Sequence, residues 1–93
     1  MDEPFNKLKP GELERLALLL EELGEAQQAI GKIIRHGYAQ FENRMDLEEE
    51  LGHVLYAVNL MCNNGDLTID WINYYKKEKA EDIKSYLHHQ EYL

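Results

Sequence analysis

Between Pro10 and His36 apolar side chains return every three or four positions without a break. A chain of 93 residues has few ways to bury such a stripe. Leu16, Leu20, Leu23, Ile30 and Ile34 carry it, with Gln27 in register, and Leu19, Ala26 and Ile33 widen it. This is the period of an α-helix with one face turned to a partner. Pro10 suits a first helical turn, and Glu12 and Glu14 favour the positive end of the helix dipole. Roughly 26 residues at 1.5 Å each make a rod of about 39 Å, long for a single domain spanning residues 1–93.

Two glycine-centred breaks divide the chain, Arg35-His36-Gly37 and Asn63-Asn64-Gly65-Asp66. Glycine supplies the left-handed residue that ends many helices. A second helix is expected from about Asn43 to Asn64, capped by Asn43 or Asp46, with Glu49 completing a capping box after Asp46. Its stripe is Leu47, Leu51, Val54, Val58 and Met61, with Leu55 and Cys62 beside it. A third is expected from Asp66 or Thr68 to about His89, with Ile69, Ile72, Tyr75, Ile83 and Leu87 on its apolar side. Nothing alternates with period two, so the fold class is all-α, a bundle of three main helices. Three rods leave one side of the first uncovered. A homodimer or homotetramer is expected to complete the bundle.

Eighteen acids against ten bases give a net charge of −8, which excludes a nucleic-acid backbone as the main partner. The excess either keeps the surface soluble or gathers carboxylates around a cation. Cys62 is the only cysteine; an internal disulfide is therefore impossible, and a small core residue in a reducing, cytoplasmic setting is expected. Met1-Asp2-Glu3-Pro4 has no apolar segment of the secretory kind. Leu16 to Leu20 is far too short to span a bilayer, so no membrane partner is expected.

The acids are not evenly spread. Glu22 and Glu25 stand three apart on the first helix, and Glu50 and His53 three apart on the second, so each pair shares a helical face. If the helices pack antiparallel, three carboxylates and an imidazole converge. Such a point suits Mg²⁺ or Mn²⁺, and the imidazole adds affinity for softer metals. The plainer alternative is a solvated acidic face. Gly24 and Gly52 lie beside Glu25 and His53. A mid-helix glycine costs about 1 kcal/mol against alanine, which points to close approach by a neighbouring helix or a ligand.

The string Glu21-Glu22-Leu23-Gly24-Glu25, then 24 intervening residues and Glu50-Leu51-Gly52-His53, resembles the EExxE…ExxD signature of the MazG-like all-α nucleoside triphosphate pyrophosphohydrolases. The resemblance is good over residues 12 to 65 and looser beyond. It implies hydrolysis of a nucleoside triphosphate to the monophosphate and pyrophosphate. It also implies metal ligation by Glu22, Glu25 and Glu50, a catalytic role for Glu22 or Glu25 in taking a proton from water, and supporting roles for Glu21 and Glu49. The family's fourth ligand is an Asp, and here it is His53. The site then carries one negative charge fewer, which lowers Mg²⁺ affinity and favours Mn²⁺ or another transition metal, or else marks weakened activity. Lys76, Lys77 and Lys79 could reach phosphate and Asn73 a base or phosphate, but a solvated helix face is the simpler explanation of all four. Trp71, Tyr74 and Tyr75 could stack a base or serve core and interface packing. Lys32, Arg35 and His36 need no more than the helix dipole.

Three rival readings stand beside this one. A Glu on one helix and a Glu-x-x-His on another is also half of a di-iron carboxylate site. His53 could mark a nucleotide-binding or regulatory module without turnover. Finally, the chain could be a purely structural bundle.

Overall fold

A computed structural model describes residues 6–93; the reading of Met1–Pro4 as lacking a secretory segment lies outside the described residues. Three helices follow one another: α1 (Pro10–His36), α2 (Phe41–Asn63) and α3 (Ile69–Ile83). No strand occurs among the described residues, so the chain is an all-α bundle. None of these helices is long and apolar enough to cross a membrane.

α1 begins and ends where its sequence indicates. Pro10 opens it, and the Glu12 carboxylate accepts the Lys9 backbone N–H at 2.8 Å. Gly37 closes it at φ +77°, its N–H bonded to the Ile33 carbonyl at 2.6 Å. The second break behaves alike, with Gly65 at φ +82°. These two positions need a residue without Cβ.

α2 starts two residues before the expected Asn43, with Gln40 as its cap. Asn43 does not cap; it is buried inside the first turns. Asp46 does not cap either, for its carboxylate lies 3.6 Å from Lys32 Nζ on α1. The expected capping box with Glu49 is therefore absent. α3 stops at Ile83, short of His89. Tighter bonds close there, Ser85 N–H and Oγ both donating to the Asp82 carbonyl and Tyr86 N–H to that of Ile83. No glycine marks this stop, and α3 has almost no packing against α1 or α2 to prolong it.

α1 and α2 form an antiparallel hairpin. Arg15 meets Asp66 near the open end, Glu22 meets His53 in the middle and Lys32 meets Asp46 near the loop. The core between them is small: Ala26 and Ala29 against Ala57 and Met61. The main stripe expected to face inward therefore turns outward. Leu20 is 74% and Ile34 79% exposed, and Leu16, Leu23 and Ile30 share that open side. The margin, Ala26 with half-buried Leu19 and Ile33, packs instead. Alanines let two backbones approach closely, which the larger residues would prevent.

α3 buries no residue. Trp71, Tyr74 and Tyr75 are exposed and pack on one another, Trp71 and Tyr75 stacked and Tyr74 edge-on to both, with ring centroids 5.3 to 6.0 Å apart. Within the chain they are not core. Cys62 is half-buried and unpaired with another cysteine. The radius of gyration is 16.9 Å, against about 12 Å for a compact domain of this length. A single chain leaves most of its large apolar side chains in water.

Candidate metal centre

The antiparallel register puts the middle of α1 beside the middle of α2. Glu22 and Glu25 sit one turn apart on the α1 face that carries Ala26 and Ala29. Glu50 and His53 sit one turn apart on α2, one turn before the buried Ala57. Both pairs thus border the alanine seam, where the backbones come closest. One donor atom from each of Glu22, Glu25, Glu50 and His53 can be chosen so that all lie within 4.8 Å of one another. The sequence expected these four to converge, and they do.

The contacts are unbalanced as they stand. His53 Nδ1 is 3.2 Å from Glu22 Oε2 and 3.5 Å from Glu50 Oε2. Neither pair has hydrogen-bonding geometry, because both Oε2 atoms are buried with no partner. The Glu22 and Glu50 side chains are only 14% and 18% exposed, whereas His53 is half-exposed at the rim. The Glu50 carboxylate holds Glu25 above the ordinary carboxyl range, first by sharing a hydrogen bond that needs a proton and then by direct repulsion; desolvation adds to this and His53 opposes it. Buried acceptors without donors and mutually repelling carboxylates are what a cation would relieve. Adjacent donors on an octahedral ion with bonds of about 2.1 Å lie about 3.0 Å apart and opposite ones about 4.2 Å. The observed spacings are close to this, so the residues present fit a divalent ion.

An open cleft of about 350 Å³ lies against the group, lined by Glu25, Gln28, Ala29, Lys32, Asp46 and Glu50. Lys32 and Gln28 were not singled out as site residues by sequence. Their signal was available: Gln28 and Lys32 follow Glu25 by three and seven positions, the spacing of one helical face.

Other candidates lie elsewhere. Glu21 and Glu49 are exposed and outside the group of four. Lys76 lines an apolar groove along α3 with Ile72, Tyr75, Lys79, Ala80 and Ile83; Asn73 and Lys77 are exposed on the same helix. None of these lines the cleft beside the carboxylates. The close approach expected at Gly24 and Gly52 does not occur among the described residues, for a Cβ at either would meet nothing within 4 Å.

Comparison with curated proteins and with solved structures returns no match. The family comparison does return one. Residues 11–84, from the first turn of α1 to just past the end of α3, match the MazG nucleotide pyrophosphohydrolase domain, and with that span and this three-helix fold the chain belongs to the MazG family.

Proposed function

We propose that this chain, as a single domain over residues 1–93, hydrolyses a nucleoside triphosphate to the monophosphate and pyrophosphate with a divalent cation held by Glu22, Glu25, Glu50 and His53. The observation that carries this is the convergence of the four donors at the α1–α2 seam, with two buried carboxylate oxygens lacking partners. Bound there, the cation supplies charge compensation for the triphosphate oxygens and acidifies a water.

The chain's own residues do the rest. Glu22 and Glu50 are the fixed donors, being mostly buried. Glu25 is the proton acceptor for the attacking water, because it lines the adjoining cleft and, unlike Glu22 and Glu50, has no buried unpartnered oxygen committed to the seam. The triphosphate lies along the adjoining cleft, where Lys32 is the one cation among the lining residues. The ammonium exchanges Asp46 for a phosphate oxygen, and Gln28 offers an amide to the same chain of oxygens. Glu21 and Glu49 act at most through water at the rim. Lys76, Lys77 and Asn73 reach the substrate only from a second chain.

A homodimer or homotetramer is part of the proposal. The exposed stripe of Leu16, Leu20, Leu23, Ile30 and Ile34 supports it, since apolar surface of this extent marks an interface. A reducing, cytoplasmic setting suits the lone thiol. The di-iron alternative has no use for the second α1 carboxylate, whereas Glu22 and Glu25 both lie in the group.

The test is a pyrophosphate-release screen over the nucleoside triphosphates, with Mg²⁺ and Mn²⁺ in parallel. Release of pyrophosphate with at least one nucleotide, lost in Glu50→Gln, is the expected result. Nucleotide binding without turnover in either metal would replace the enzyme with a binding module.

A further inference from the structure

We infer that His53 ligates through Nδ1 and makes this centre selective for a transition-metal dication of the Mn²⁺ class over Mg²⁺. This presupposes that the four residues hold a cation and adds which class of ion they hold.

The geometry puts the imidazole where a ligand would stand. Nδ1 stands 3.2 and 3.5 Å from two carboxylate oxygens on different helices. Yet it satisfies neither, for both remain without a hydrogen-bond partner. Donors that share an ion stand at such spacings, and an ion would supply the partner that both oxygens lack. The ring is also half-exposed. It is therefore not fixed by core packing, and an ion arriving from solvent can meet its nitrogen.

The donor set decides the ion. Mg²⁺ binds oxygen, holds its waters tightly and gains little from a neutral nitrogen. Imidazole suits first-row transition metals, whose affinity for nitrogen sites rises from Mn²⁺ towards Cu²⁺. Glu22, Glu25 and Glu50 supply three hard anionic donors, enough for either class. The fourth position breaks the tie. A rival role exists for the same nitrogen: a protonated imidazole could neutralise Glu22 and Glu50 with no metal contact.

Pulsed electron paramagnetic resonance of the full chain with Mn²⁺, with no nucleotide present, separates these. A ligating His53 gives a ¹⁴N modulation on the Mn²⁺ signal, which should vanish in His53→Asp and in His53→Ala. Far-UV circular dichroism checks that the variants keep their helices. Titration calorimetry should show Mn²⁺ bound at least about tenfold more tightly than Mg²⁺, with the ratio reduced about tenfold in His53→Asp. Mn²⁺ bound without ¹⁴N modulation, or an unchanged Mn²⁺/Mg²⁺ ratio in His53→Asp, overturns the role of His53 and leaves the carboxylate centre standing. No binding of Mn²⁺ at all overturns the centre itself.

Discussion

The two long faces of α1 follow opposite rules. The face towards α2 is built from small residues and acids: Glu22, Glu25, Ala26 and Ala29. The face away from it is built from Leu16, Leu20, Leu23, Ile30 and Ile34, and in the single chain it stays in water. The hydrophobic effect alone would reverse them. Closely packed alanines bring the backbones near enough for the acidic side chains of two helices to meet, and this proximity sacrifices apolar burial. The outward face can recover that burial only against another chain. One helix thus divides its work between a site on one side and assembly on the other.

The largest effect should come from the inner face. Glu25→Gln or Glu50→Gln should lower turnover by about 10²-fold or more while the helices persist. Without metal, both variants should melt higher than the natural chain at neutral pH. The sign follows from Glu25, whose carboxyl is held above its ordinary range by Glu50. Repulsion is present when both are ionised and is relieved by protonation, so the difference should shrink as pH falls through the raised value. If turnover persists and melting drops, the acids are structural.

The outer face comes next. Leu20→Glu with Ile34→Glu should shift sedimentation from an oligomer to a monomer and lower the melting temperature. Burial of each such side chain is worth about 1.5–3 kcal/mol. An unchanged sedimentation coefficient would mean that the stripe is not an interface, and the contrast between the faces would lose half its meaning.

Smaller effects sharpen the picture. The Arg15 guanidinium donates through two nitrogens to Asp66, which ties the start of α1 to the turn after α2 and holds the Asp66 carboxyl below its ordinary range. A depressed carboxyl stabilises the fold above its unfolded value of about 3.9 and loses that contribution as pH falls through the folded value. Asp66→Asn should therefore melt lower at neutral pH, with the gap closing in acid. A gap independent of pH would point to packing instead of charge. Smallest of all, Gly52→Ala should stabilise α2 by up to about 1 kcal/mol, because an added Cβ meets nothing within 4 Å. A loss of stability would reveal a second chain lying against that glycine.

Local chemistry was legible in the sequence, and depth of burial was not. Gly37 and Gly65 end α1 and α2 because a left-handed residue is a backbone property that the residue type declares. The meeting of Glu22, Glu25, Glu50 and His53 was legible because three-residue spacing on each helix and one antiparallel pairing suffice to produce it. Which stripe of α1 turns inward was not, since Ala26 and Ala29 gain their place from how near α2 can come. The end of α3 escaped for a related reason: its apolar spacing continues to Leu87, but no neighbouring helix rewards continuation past Ile83. Lys32 was read as a partner of the helix dipole, and only the hairpin shows it beside Glu25 and Glu50 in one cleft.

The antiparallel hairpin has a consequence for how this scaffold can change length. Glu25 lies 11 residues before the end of α1 and Glu50 nine after the start of α2, so the connection between them works like the bend of a hairpin of adjustable reach. One added turn on each arm, about seven residues in all, would move the bend outward and leave the four donors opposed. A single inserted residue between Glu25 and the bend would rotate the rest of that arm by about 100° and carry α2 out of register. Within the helical arms, insertions and deletions should therefore come in paired turns, whereas the non-helical connection at 37–40 can change length without following helical pitch.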